Sequence, residues 1–158
     1  MVALDPRINP FRPDWQRRYY KALLKMDPPD DMRKKQVAMN YLEGLEWTFK
    51  YYTQGCADWR WSYHHHYPPL LEDLYKYIPI SNTTLVPQKA MNPVNPVVQL
   101  CYVIPLSALN LLPPKLHHAL ITKCAHWYKN DCEFVWAFCR YFWEAHVELP
   151  DIDLTELE

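Results

Sequence analysis

With 158 residues, 49% of them apolar and 22% charged, the chain has the composition of a folded protein with its own core, which excludes a disordered polyelectrolyte. A net charge of −1 excludes a general nucleic-acid binder: residues 1–50 carry ten Lys/Arg against seven Asp/Glu, but residues 144–158 carry six acids and no Lys/Arg. No apolar run reaches the roughly 20 residues of a membrane span, and the N-terminal MVALDPRINPFRPDW lacks the apolar segment of a signal peptide.

Fifteen prolines and two glycines, where average usage is about 5% and 7%, predict stiff connections. Pro13-Asp14 opens a first helix with Asp14 as N-cap, and Trp15, Tyr19, Leu23 and Met26 recur at helical spacing as a core stripe. Arg17, Lys21 and Lys25 share another face. That face reads first as solvation helped by the helix dipole, with phosphate contact from Arg17 and Lys21 as the alternative. Asp27-Pro28-Pro29 stops the helix.

A second helix is expected over residues 31–54, with Ala38, Tyr41, Leu42, Leu45, Phe49 and Tyr52 as its buried face. Trp47 and Tyr51 lie off that stripe, which predicts cover on a second side, and Gly55 is placed as a left-handed cap. Past Pro69, LLEDLYKYI reads as a short helix, followed by a Pro/Asn-rich loop over 79–95. Asn95-Pro96 starts a helix over VVQLCYVI that Pro105 ends, and Pro114 occupies the first turn of KLHHALITK. Residues 124–146 read equally as one helix or as strands with an irregular turn, which admits a short β element near the C-terminus. The acidic tail DIDLTELE reads as a solvated terminus. Without an internal repeat or flexible linker, residues 1–158 are expected to form one mainly α, loop-rich domain with proline-rich connections. Five cysteines, an odd number with no C-x-x-C pair, suit buried thiols and an intracellular, cytoplasmic or nuclear protein rather than a secreted one.

The stretch WRWSYHHHYPP, residues 59–69, admits three readings: a metal site, a stacking platform for bases, or an aromatic plug in a core. Contiguous His64, His65 and His66 diverge rather than converge, and zinc needs about four ligands where only Cys56 lies nearby. Metal is the weakest of the three. Between the others, buried aromatic rings are mostly structural, so the residues alone favour core packing for both tryptophans.

Four co-linear segments change that balance. NYLEGLEWTFKYYTQGCADWRWSYHHHYPPLLEDL (40–74) resembles the second conserved region of XRN-type 5′→3′ exoribonucleases, whose helix "Y-I-E-G-L-x-W" leads to "S-W-x-W-Y-Y-P-Y-H-Y-A-P". VVQLCYVIPLSALNLLPPKLHHALI (97–121) resembles that family's "Q-L-L-A-V-L-P … L-L-P" element. WEAHVELPDID (143–153) resembles its closing "W-x-x-V-x-L-L-P-F-I-D", and FRPDWQRRYYK (11–21) resembles the segment before the helix. The chain departs at His64, His65 and Pro68, where the family has Pro, Tyr and Ala, and at Asp151, where it has Phe.

The resemblance implies that a tryptophan of the W-x-W block stacks beside the 5′ nucleotide of single-stranded RNA. Alternate side chains of an extended segment face opposite ways, so Trp61 is expected as the platform and Trp59 as core. Tyr63, His66 and Tyr67 are expected in support, with His66 as a hydrogen-bonded core group.

It also implies that the acidic metal site and the 5′-phosphate grip belong to an upstream region that this chain lacks. Two-metal hydrolysis needs several carboxylates within reach of ions roughly 4 Å apart, whereas the acids here are scattered. No residue is therefore assigned a catalytic or metal-ligating role and no cofactor to this chain, with Mg²⁺ expected only alongside the missing catalytic half. Two functions follow. The chain is either the RNA-binding helical half of an exoribonuclease, partnered by a separate catalytic half, or a stand-alone scaffold with an assembly neighbour and no nuclease role.

Overall fold

Proline, glycine and short polar side chains set several of the helix ends, those at Asp30, Gly55, Asn95-Pro96 and Pro114 among them. In the computed structural model, which describes residues 8–129, 131–135, 139 and 141–158, the chain divides into two compact units, Met1–Asn92 and Pro93–Glu158.

In the first unit, helix α1 spans Trp15–Leu24 and buries Tyr19, Tyr20, Leu23 and Leu24, with Met26 buried just beyond. Asp14 stands at the N-cap position but with φ 59°, and its side chain makes no capping bond. Arg18 braces the entry instead, donating to the Pro13 carbonyl at 2.6 Å and the Ile8 carbonyl at 3.2 Å.

Helix α2 spans Asp31–Gln54, as expected. The Asp30 carboxylate accepts the Arg33 N–H at 2.8 Å, a cap that typically contributes about 1 kcal/mol. Gly55 ends the helix at φ 94°, a conformation that a Cβ would strain.

The expected core face of α2 is corrected by the structure. Only Val37 and Ala38 are fully buried, while Leu45, Phe49 and Tyr52 are 51%, 65% and 82% exposed and Tyr41 is half-buried. The reason is the neighbouring stripe. Gly44, Trp47 and Tyr51 recur at i, i+3 and i+7, and the aromatic segment packs on that side. The second-side cover anticipated there reaches half-buried Trp47, while Tyr51 stays 46% exposed.

Helix α3, Leu71–Lys76, is fastened to both predecessors by a charged network. Buried Asp73 accepts the Tyr20 hydroxyl at 2.6 Å and Lys34 Nζ at 3.2 Å, and Lys34 also lies 4.6 Å over the Tyr20 ring. The Pro/Asn-rich loop after α3 is tied down by polar bonds. Glu46 accepts the N–H groups of Leu85 (2.9 Å) and Val86 (3.4 Å), and Lys50 donates to the Val86 carbonyl at 2.6 Å.

In the second unit, helix α4 is Pro96–Val103, with Asn95 capping Val97 N–H at 2.9 Å, and helix α5 is Pro114–Lys123. Between them, Leu106–Leu111 forms a 3₁₀ turn that the sequence patterns did not single out. Cys101, Leu109, Leu112, Leu120, Trp127 and Tyr128 make the core, and the Tyr128 hydroxyl donates to the Cys101 carbonyl at 2.6 Å.

Strand β1, Glu133–Val135, pairs antiparallel with β2, His146–Glu148, placing Phe134 opposite Val147. The ambiguous stretch thus contains the short β element, although residues 130, 136–138 and 140 lie outside the described residues. The tail is a second correction. Leu154–Leu157 forms a one-turn helix α6 capped by Asp153, and Ile152 and Leu157 pack on the core cluster. Its acids point to water, but apolar side chains between them hold it down. The fold is mainly α.

Candidate nucleic-acid interface

The aromatic segment is pinned along its length. Trp47 Nε1 donates to the Asp58 carbonyl at 2.8 Å, Tyr19 OH to the Pro68 carbonyl at 2.9 Å, and Leu70 N–H to Tyr20 OH at 3.2 Å. At its centre, His64 N–H donates to Asn40 Oδ1 at 2.9 Å. Helices α1 and α2 thus dictate the path of residues 58–70, so the rings are presented by a braced strap.

Asp58 itself is buried. Burial opposes its ionisation, but the Lys89 ammonium at 2.6 Å and the Arg60 N–H at 2.9 Å hold its pKa below the ordinary carboxylate value.

Along α2, Tyr51, Trp47 and Trp61 form a ladder of rings. Trp47 stacks on Tyr51 at 5.3 Å and 14°, and Trp61 on Trp47 at 5.8 Å and 23°. Trp61 is half-buried, with its indole Nε1 at 3.5 Å from Glu43 Oε2, and among the described residues it is one end of the ladder. Trp59 is 39% exposed. Its expected place in the core is therefore corrected. Trp47 and the bare backbone at Gly44 draw Trp61 inward instead.

Tyr63 and Tyr67 are half-buried, and Tyr63 OH donates to the Tyr67 carbonyl at 2.8 Å. Tyr63 meets Tyr41 edge-on at 5.7 Å and His65 at 5.4 Å. Burial, then the neighbouring Tyr19 and Tyr41, raises the Tyr63 pKa. Burial, followed by Tyr67 and Tyr41, pushes that of Tyr19 up to about 12.

His66 is exposed, contrary to the core role expected of it. The imidazole among tyrosines is His65, whose pKa is lowered by burial and then by its neighbours His64 and His66. His64 and His65 also rim an open groove of about 530 Å³ beside Arg33, Asn40 and Glu43. Arg17 and Lys21 are exposed, and both hold Asp27, at 3.1 and 2.5 Å. These bonds, the Lys21 one first, keep the Asp27 pKa below the usual carboxylate value.

Several carboxylates are already engaged by cations. In the first unit Asp27, Asp31, Glu46, Asp58 and Asp73 each sit on a lysine or arginine. No three His, Cys, Asp or Glu groups stand together among the described residues. Among the same residues, no helix is long and apolar enough to cross a membrane.

Sequence reasoning missed Gly44, Glu43 and Tyr41 as partners of the aromatic block. One signal was present: glycine in a helix interior costs about 1 kcal/mol relative to alanine, so Gly44 needs a reason of its own.

A helical body presenting a braced aromatic strap defines a class of helical module, and the match to a known family places it. The chain belongs to the Xrn1 helical domain family, whose model matches residues 6–158. It is 32% identical over 156 residues to 5′-3′ exoribonuclease 2 of Gallus gallus, covering 97% of this chain and 16% of that protein. It is 34% identical over 144 residues to 5′-3′ exoribonuclease 2 of Emericella nidulans, covering 89% and 14%. With the 5′-3′ exoribonuclease 2 homolog of Caenorhabditis elegans it shares 31% over 153 residues, covering 95% and 15%. The chain thus spans about a sixth or less of the length of these relatives.

Proposed function

We propose that this chain is the aromatic wall of a 5′→3′ exoribonuclease, stacking on single-stranded RNA and breaking no bond by itself. The observation that carries this reading is the Tyr51–Trp47–Trp61 ladder, which a nucleobase extends at its Trp61 end. Each stacked base contributes about 1–3 kcal/mol, and every base has a π-face, so the contact serves any sequence. Exposed Trp59 is a second stacking surface on the same strap. Tyr63 braces the strap through the Tyr67 carbonyl, and His66 lies at its surface. Arg17 and Lys21 contact phosphate only by exchanging Asp27 for it.

Bond cleavage and any Mg²⁺ belong in this reading to a separate catalytic half. The Leu45, Phe49 and Tyr52 stripe of α2 is the surface such a half or another assembly neighbour covers. The stripe also favours the second reading, a scaffold that uses this face for assembly alone. An intracellular address goes with either one.

The test is binding of a 5′-monophosphorylated single-stranded oligonucleotide at fixed salt. Trp61→Ala is expected to weaken it by about 1–3 kcal/mol, the range for one stacked base. Incubation of the same oligonucleotide with the chain and Mg²⁺ is expected to leave it intact. No affinity at low salt leaves the scaffold reading standing, and 5′-end degradation by the rigorously purified chain refutes the division of labour.

A further inference from the structure

The two glycines of the chain meet different needs. Gly55 takes a positive φ with nothing within 4 Å of a Cβ built there, so its need is conformational. Gly44 sits inside α2 in ordinary helical backbone, and its need is space. A Cβ there would lie 2.7 Å from Cη2 of Trp61 and 3.3 Å from Cζ2, with Cζ3 of the same ring next at 3.7 Å. Separations under 3.0 Å are not sustained by real Cβ atoms, so the ring or the backbone has to move.

The indole has little freedom to yield in place. It is one rigid plane stacked on Trp47, its Nε1 lies beside Glu43, and Trp47 is itself tied to the Asp58 carbonyl. A methyl group at position 44 therefore lifts the outer ring of Trp61 away from the helix and tilts it off Trp47.

We propose that Gly44 is a positioning residue: its missing side chain is the seat that sets the depth of Trp61 and aligns it with Trp47 and Tyr51. On the stacking reading proposed above, on which this part rests, that depth sets where the 5′ base comes to lie. The same notch explains why a poorer helix former occupies the middle of a 24-residue helix.

The experiment compares Gly44→Ala, Trp61→Phe and the pair in the 158-residue chain. One readout is the exciton couplet that two stacked indoles give in circular dichroism. The other is affinity for a 5′-monophosphorylated oligouridine at fixed salt. Gly44→Ala is expected to lose most of the couplet, keep its helical signal and bind the oligonucleotide about tenfold more weakly, within the range for a stacked base.

An unchanged couplet overturns the proposal. A lost couplet with unchanged affinity supports the seat and overturns the RNA-stacking reading, so the two fail separately. Should Gly44→Ala unfold the chain, the pair decides. Phenylalanine lacks the outer indole ring that the new methyl group meets, so Trp61→Phe is expected to restore the fold, and failure to do so counts against the seat.

Discussion

The Tyr20 hydroxyl donates to Asp73 Oδ2 at 2.6 Å, joining residues 53 positions apart in a buried contact. Lys34 bonds both Asp73 oxygens at 3.2 Å, so α1, α2 and α3 meet at one carboxylate. Burial, then the bond to Asp73, raises the Tyr20 pKa. Asp73→Ala leaves the Lys34 charge without its partner in a half-buried site, and is expected to cost about 3–5 kcal/mol in urea unfolding. Pairing it with Lys34→Met is expected to recover a substantial part. A cost for Asp73→Ala near zero means that the three helices are held by apolar packing alone.

The two faces of α2 separate under mutation. Val37 is 1% exposed, so Val37→Ala removes two buried methyl groups and is expected to cost about 2–3 kcal/mol. Leu45→Ala, on the exposed stripe, is expected to change stability by no more than about 0.5 kcal/mol. Equal losses in chemical denaturation would show that the stripe is covered in solution, for example by a second copy.

The tail is part of the second unit. Leu157 packs on the cluster around Cys101 and Leu109, and Leu157→Ala is expected to cost about 1–2 kcal/mol as a partly buried truncation. Glu158→Gln, next to it and exposed, is expected to be close to neutral. A Leu157→Ala chain that melts with the wild type would return the tail to solvent.

His65 gives stability an acid-side dependence. Its folded-state pKa is lowered below the ordinary 6.5 by burial and then by His64 and His66, with Tyr63 edge-on to its ring and Arg33 and Glu43 lining the same groove. A lowered value means that the unfolded chain takes up the proton first. The His65 contribution is therefore complete above 6.5 and is lost as pH falls through the folded value. His65→Gln is expected to flatten the fall of the urea midpoint between roughly pH 7 and 5. A steeper fall in the variant reverses the sign and the assignment.

The helix ends were legible because their chemistry is local. Gly55, Asn95-Pro96 and Pro114 act through their own backbone and need no partner elsewhere in the chain, whereas Asp14, read as a cap, makes no capping bond. The buried face of α2 was not legible. Leu45, Phe49 and Tyr52 repeat with the same period as a core stripe, and periodicity marks a face that wants cover without saying whether this unit supplies it. In the W-x-W block, alternation put Trp61 outward and Trp59 inward, whereas Trp59 is the more exposed ring. Which ring turns inward depends on Gly44 and Trp47, more than ten positions away, and no rule about neighbouring residues contains that contact. The tail misled through its charge: six acids in fifteen residues conceal Ile152 and Leu157, which pack on the core cluster.

The carboxylate of Glu46 holds two consecutive N–H groups, those of Leu85 and Val86, in a loop without helix or strand. Lys50, paired with Glu46 at 2.7 Å, takes the Val86 carbonyl in turn. Backbone groups that a neighbouring strand normally occupies are thus met here by side chains one helical turn apart. Amide protons at 85 and 86 should then exchange with deuterated solvent on the slow schedule of α2, while those of Asn82 and Asn92 exchange at once. A proline-rich connection so held behaves as an extra rib of the helix, and the chain can cross this exposed surface without the slack that loops usually bring.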